Sequence, residues 1–151
     1  MEALEELLAK DAVLYADSGG KAMAPREPLV GAALIARFMA AVGRARPSGE
    51  LESRRVRVNG QPGRVVLGRG EERYGEAERR AAEQALALLK SGEIDANDLA
   101  AFMMSAVDRT RWDAGQHQAE PRVWDILTVD VVHGRIQAVR IVRNPDKLAH
   151  I

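Results

Sequence analysis

Cysteine is absent from the 151 residues. That excludes disulfides, thiolate metal sites and cysteine nucleophiles together. Also missing is any apolar run long enough to span a bilayer. The N-terminal MEALEELLAKD is acidic and amphipathic rather than a basic leader followed by an apolar core, so a cytoplasmic location is expected. Charge of one sign is lacking too: Lys plus Arg and Asp plus Glu number 22 each. The net field therefore directs the chain neither to nucleic acid nor to a membrane surface, and neither is expected as a partner. Lysine is scarce, at Lys10, Lys21, Lys90 and Lys147 only, which we read as coding bias. The histidines, His117, His133 and His150, include no pair at the i, i+4 spacing that puts two imidazoles on one helical face, so no metal site is expected. GQPGRVVLGRG is rich in glycine but lacks the Lys-Ser/Thr ending and strand-loop-helix setting of a phosphate or dinucleotide loop. Ser18, Ser105 and Thr110 sit in no nucleophile elbow. No cofactor is expected.

What the chain does have is enough apolar sequence, 46% of its residues, to build one compact domain. MEALEELLAKDAV places Leu4, Leu7 and Leu8 on one helical face, with a short strand then expected over Ala12 to Ala16. DSGGK, residues 17–21, is turn chemistry, since paired glycines allow positive φ. A helix is predicted through Leu34, Ile35, Phe38, Met39 and Val42, with Gly43 as its stop. ELESRRVRVNGQPGRVVLGRG alternates at period two about an Asn59-Gly60 turn. From residue 71 to 120 the chain turns charged and alanine-rich, and two helices are predicted, over AERRAAEQALALLKSG and ANDLAAFMMSAVDRT. RVWDILTVDVVHGRIQAVRIVRN reads as two strands joined at His133-Gly134. Strands and helices do not alternate regularly, so the fold class is α+β: a curved, mostly antiparallel sheet closed over by helices into a cone.

Three motifs, in order, carry a resemblance: Asp17-Ser18-Gly19-Gly20-Lys21; Asn59-Gly60-Gln61-Pro62-Gly63; and Asn144-Pro145-Asp146-Lys147-Leu148. With their flanks, LLAKDAVLYADSGGK, VNGQPGRVVL and LTVDVVHGRIQAVRIVRNPDKLAHI, they resemble the SnoaL-like domain at the C-terminus of a group of extracytoplasmic-function sigma factors, where a third glycine tends to stand in place of Ser18. The resemblance spans about residues 1–70 and 121–151. It implies a nuclear-transport-factor-2-like cone and a regulatory, non-catalytic role: contact with sigma-factor regions or RNA polymerase in transcription, with a homodimer and a small hydrophobic ligand as further expectations. Residues 71–120 stand where that family has a short connection. They are read as a helical insertion within a single 1–151 domain, and as a candidate replacement for a helix that the family carries ahead of LEELLAKDAV.

The resemblance implies a motif surface of Asp17, Gly19, Gly20, Lys21, Asn59, Gly60, Pro62, Asn144, Pro145, Asp146 and Lys147. Within it NPDKL can be no more than a strand terminator, because Pro145 ends a ladder and Asn144 and Asp146 bond nearby backbone. Alternatively its charges meet those of DSGGK, Asp17 with Lys147 or Asp146 with Lys21. The competing reading is a small isomerase or hydrolase of the same fold, using an aspartate as acid/base on a hydrophobic ligand, with Asp17, Tyr15 and Asp130 as candidates and a pocket of Tyr15, Asp17, Asn59 and Trp124. Strand parity puts Asp125 and Asp130 on opposite faces, so they form no acid-base couple. GEIDANDLAAFM imitates half of a calcium loop, but capping by Asp95 or Asn97 explains it more simply. Arg54, Arg55, Arg57 and Arg64 form either an anion-facing stripe or the wet side of an alternating strand.

Overall fold

The computed structural model describes residues 1–45, 51–69, 76–106 and 120–151. His117, Thr110 and residues 71–75 and 107–119 of the 71–120 segment lie outside them.

The chain opens with a short helix, α1 (Glu2–Leu7), and passes directly into strand β1 (Leu8–Asp17). The strand begins four residues earlier than the expected Ala12, and the reason is burial. Leu8 is 2% exposed and Ala12 and Leu14 are fully buried, so this stretch gains more as an inward-facing strand than as another helical turn. A two-residue strand β2 (Leu29–Val30), not foreseen, precedes α2 (Ala32–Ala45). Gly43 does not stop α2: the helix runs on to Ala45, with Ile35, Ala36, Phe38 and Ala41 buried at helical spacing. Packing overrides a single glycine, whose helical cost is about 1 kcal/mol.

Next come the hairpin β3 (Leu51–Val58) and β4 (Gln61–Gly68), helices α3 (Glu76–Ser91) and α4 (Ala96–Ala106), the hairpin β5 (Arg122–Val132) and β6 (Arg135–Val142), and a last turn of helix, α5 (Pro145–Leu148). The hairpin turns are as expected. Asn59 and Gly60 have φ of 51° and 80°, and His133 and Gly134 have φ of 50° and 76°, the paired positive values of type I′ turns. Between α3 and α4, Asp95 caps α4 by accepting from the Asn97 and Asp98 amides at 2.7 and 2.9 Å, while Asp98 accepts from the Asp95 amide at 3.1 Å. This reciprocal box engages the oxygens that looked like calcium ligands.

The strands form one open, curved sheet in the order β2-β1-β6-β5-β4-β3. Every neighbouring pair is antiparallel except β1 with β6, so the sheet is mostly antiparallel, as expected, with one parallel pair that was not. The parallel pair arises because β1 and β6 are distant in sequence and meet edge to edge, a pairing no local turn signal announces. Irregularities in register at Leu8/Val13, Val66/Leu67 and Asp130/Val131 interrupt the ladders, as bulges that bend a sheet do. The core lies on one face. Leu14, Val139 and Ile141 of the sheet join Ile35 and Phe38 of α2, Ala85 and Leu89 of α3, and Leu99 and Ala100 of α4 in a single buried cluster. The 76–106 helices thus cover the sheet's inner face rather than projecting away from it. Arg44 of α2 donates to the Asn97 side chain of α4 at 2.6 Å, tying the two helices across their exposed ends. Among the described residues, no helix is long and apolar enough to cross a membrane.

Candidate functional site: a two-loop latch and an apolar cavity

DSGGK leaves the end of β1, and NPDKL leaves the end of β6. Because β1 and β6 are parallel neighbours, both loops emerge at the same end of the sheet. The Arg143 amide donates to the Asp17 carbonyl at 2.7 Å, which closes the ladder just before the loops part. Lys21 Nζ then donates to both carboxylate oxygens of Asp146, at 2.8 and 2.7 Å, and Lys147 Nζ donates to Asp17. The two reciprocal pairs therefore form together.

Each polar residue of the latch has a structural task. Asp17 accepts the Gly19 amide at 3.0 Å and the Asn144 side-chain amide at 3.4 Å. Asn144 caps α5 by accepting from the Asp146 amide at 3.1 Å, with Pro145 at the first helical position, where its missing N–H costs nothing. Gly19 is doubly required: its φ is +59°, and a Cβ there would lie 2.6 Å from the Asn144 side chain. Leu148, 6% exposed, plants the end of α5 in the interior. The Lys147 ammonium, with help from the Gly19 amide and Asn144, holds the Asp17 carboxyl below its ordinary range, against a smaller opposing effect of burial.

The second motif does not join them. Gly63 pairs with Thr128, Thr128 with Arg140, and Arg140 with Tyr15. Asn59, Gly60 and Pro62 consequently sit beyond that row at the opposite end of the sheet, with the His133-Gly134 turn. The motif surface is split between two ends.

The catalytic candidates do not converge either. Tyr15 is 44% exposed on the outer face of the sheet, with the Arg140 guanidinium 5.6 Å from its ring centroid. Asp130 pairs with that same Arg140. Asp17 is in the latch, Asn59 at the far end, and Trp124 packs against Gly68, where a Cβ would fall 2.6 Å from the indole. The pocket of Tyr15, Asp17, Asn59 and Trp124 does not exist. Asp125 is buried at 3% exposure, away from Asp130, as parity required. Arg54 pairs with Glu52 at 2.7 Å, while Arg55 and Arg57 lie exposed on the strand's other side. Among the described residues, no cluster of three or more metal-ligating side chains occurs.

A cavity of about 80 Å³ lies elsewhere, between the sheet's inner face and the helices. Ala16 and Ile141 form its floor, Phe38, Leu86, Leu99 and Met103 part of its helical cover, and residues 18–26 one wall. Arg143 fastens that wall through a 2.6 Å bond to the Met23 carbonyl. At the rim Arg26 pairs with Glu83 of α3 at 2.7 Å. Sequence reasoning missed this cavity because its lining comes from five separate segments. The only available clue was that Ala16 and Ile141 share inward parity with core positions.

No protein-family model matches this sequence, and no curated protein matches it. Among solved structures, the chain is similar to a de novo designed protein with a curved β-sheet, at 13% identity and a TM-score of 0.43, covering 96% of this chain and 72% of the other. It is also similar to a Xanthomonas campestris pv. campestris protein provisionally described as a polyketide cyclase, at 14% identity and a TM-score of 0.39, covering 98% of this chain and 82% of that one.

Proposed function

We propose that this chain is a non-catalytic, SnoaL-like binding module whose polar DSGGK/NPDKL face meets a protein partner, a sigma-factor region of the transcription machinery. The observation that carries the reading is the disposition of carboxylates. An aspartate acid/base needs a desolvated carboxyl with a raised pKa facing the ligand. Among the described residues that line the cavity, the one carboxylate, Glu83, has a 44% exposed side chain and an arginine partner, and the buried Asp125 is not in the lining. Asp17 is shifted the opposite way by Lys147, and Asp130 lies on the outer face. The latch, in contrast, presents Lys21, Asp146 and Lys147 to solvent at 56%, 67% and 64% side-chain exposure. The partner class is supported by the motif resemblance alone, and the geometry gives it a compact surface to use.

The test is titration calorimetry of the full chain against a purified extracytoplasmic-function sigma region, in wild type and in the charge-swapped Lys21→Asp/Asp146→Lys variant, whose two side chains bond each other. The swap keeps a possible pair and so most of the stability, but inverts the surface. Lost binding at an unchanged melting temperature is the expected result. Binding that survives the swap, or that is absent from wild type, overturns the partner role and leaves the latch as a purely structural fastening.

A further inference from the structure

We propose that the open edge of β3 takes up an extended, acidic segment of another protein as an added strand, whose alternate carboxylates meet Arg55 and Arg57. The surface is separate from the DSGGK/NPDKL face, and the proposal does not rest on the function assigned to that face.

The two edges of the sheet differ. One is β2, a strand of only two residues, too short to template another chain. The other is β3, whose eight residues pair with β4 in unbroken register. Its sequence, LESRRVRV, contains neither proline nor glycine, so nothing in it kinks the strand or removes a backbone donor. Glu52, Ser53, Arg54, Arg55 and Arg57 are exposed. Among the described residues no strand lies beyond β3, which leaves a row of backbone N–H and C=O groups open to pairing.

Charge selects the strand that fits. Arg55 stands directly opposite Arg64, and Arg57 opposite Pro62, so three guanidiniums share one face of the hairpin. Like charges directly opposed on neighbouring strands are destabilising. On the other face Arg54 has Glu52 at 2.7 Å. On this face the bonds go to neutral acceptors: Arg64 donates to the Ser53 hydroxyl at 2.5 Å and Arg57 to the Gly60 carbonyl at 3.4 Å. Among the described residues, no carboxylate pairs with Arg55, Arg57 or Arg64.

Arg55 and Arg57 are two residues apart, about 7 Å along a strand, the interval at which an added strand returns to the same face. A segment reading acidic-apolar-acidic would set its carboxylates beside these arginines, where the guanidinium fork can bind them in pairs of hydrogen bonds. Its apolar residue would turn to the other face, beside the half-buried Val56. Main-chain bonds would supply affinity and the alternating side chains specificity. A second copy of this chain fits poorly, because an antiparallel contact between two β3 edges would set arginine-bearing strands side by side. Single-stranded nucleic acid fits poorly as well. It has no peptide groups to continue the ladder, and neither β3 nor β4 carries an aromatic side chain on which a base could stack.

The probe is a fluorescein-labelled peptide, Thr-Glu-Val-Glu-Val-Glu-Thr, titrated with the full chain and followed by anisotropy. Thr-Lys-Val-Lys-Val-Lys-Thr controls for charge, and Thr-Glu-Pro-Glu-Pro-Glu-Thr keeps the charge while removing backbone donors. The Glu-Val peptide should bind at about 10–100 μM, and both controls about tenfold more weakly. Its binding should slow hydrogen exchange at alternate amides of β3. Arg55→Gln/Arg57→Gln, at two exposed positions, should weaken it about tenfold, while Arg54→Gln on the opposite face should change it less than about twofold. Lys21→Asp/Asp146→Lys should leave it unchanged, so that this surface and the latch stand or fall separately. Equal binding of the proline peptide, protection confined to amides outside β3, or displacement of the Glu-Val peptide by an equal concentration of a thymidine oligonucleotide each overturns the proposal. So does a Glu-Val peptide that fails to bind; aggregation of the Arg55→Gln/Arg57→Gln variant would then assign the arginines to keeping copies of the edge apart.

Discussion

The two ends of the sheet are closed by different physics. At one end, Asn59-Gly60 and His133-Gly134 reverse the chain through their own backbone dihedrals, with nothing within 4 Å of where a Cβ on Gly60 or Gly134 would go. At the other, DSGGK and NPDKL are fastened by side chains more than 120 residues apart in sequence, around a glycine in contact with Asn144. A local turn costs little to form and answers to almost nothing outside itself. A fastening between distant segments exists only when the whole sheet has assembled, and it responds to salt, pH and anything that competes for its charges. The latch end therefore answers to solution conditions in a way that the hairpin end does not.

The largest test of that contrast is Leu148→Ala. If α5 is truly rooted in the core, truncating this buried side chain should cost about 2–3 kcal/mol in urea unfolding, typical of a leucine whose site can partly collapse. A loss under about 0.5 kcal/mol would mean that the chain end is merely draped over the surface.

Gly19→Ala and Gly134→Ala come next, as a matched pair. Both glycines have positive φ, +59° and +76°, so both variants incur the left-handed penalty of about 1 kcal/mol. Only Gly19→Ala must also displace Asn144 from its cap, which should bring the loss to about 2 kcal/mol. Equal melting-temperature shifts for the two variants would show that the contact at Gly19 is relieved by a simple side-chain rotation, and would erase the distinction between the ends.

The difference between the ends also explains what could be read in advance. Asn59-Gly60 and His133-Gly134 were legible because a type I′ turn is specified by two adjacent residues. The reciprocal pairing of Asp17 with Lys147 and Lys21 with Asp146 was legible for another reason: two short polar turns of complementary charge invite it. The parallel β1-β6 contact that makes the pairing possible was not legible, nor was β2, since two residues carry no periodicity. Gly43 misled because a propensity of about 1 kcal/mol is small beside the burial of Phe38 and Ala41. The proposed pocket of Tyr15, Asp17, Asn59 and Trp124 failed because parity along single strands says nothing about which ends of those strands converge. The real cavity needs five segments at once, and only the assembled core defines it.

The smallest expected effect is the most specific to the latch. Lys147→Met removes the main cause of Asp17's lowered pKa while keeping an unbranched stem of similar reach. The pair is exposed, so its contribution at neutral pH and low salt is about 0.5–1 kcal/mol. The sign follows from the direction of the shift. A carboxyl whose folded pKa is depressed binds its proton more readily in the unfolded chain, so the stability it lends is present above the ordinary aspartate value of 3.8 and drains away as pH falls below it. Wild type and Lys147→Met should accordingly differ in urea midpoint at pH 7, converge as the pH drops below about 4, and converge again in about 1 M salt, where screening shortens the reach of charge to about 3 Å. The hairpin end supplies the control: Gly134→Ala should show the same loss at every pH and salt concentration. A Lys147→Met difference equally indifferent to both would mean that the lysine acts by packing its stem, and that the latch is no more electrostatic than the turns opposite it.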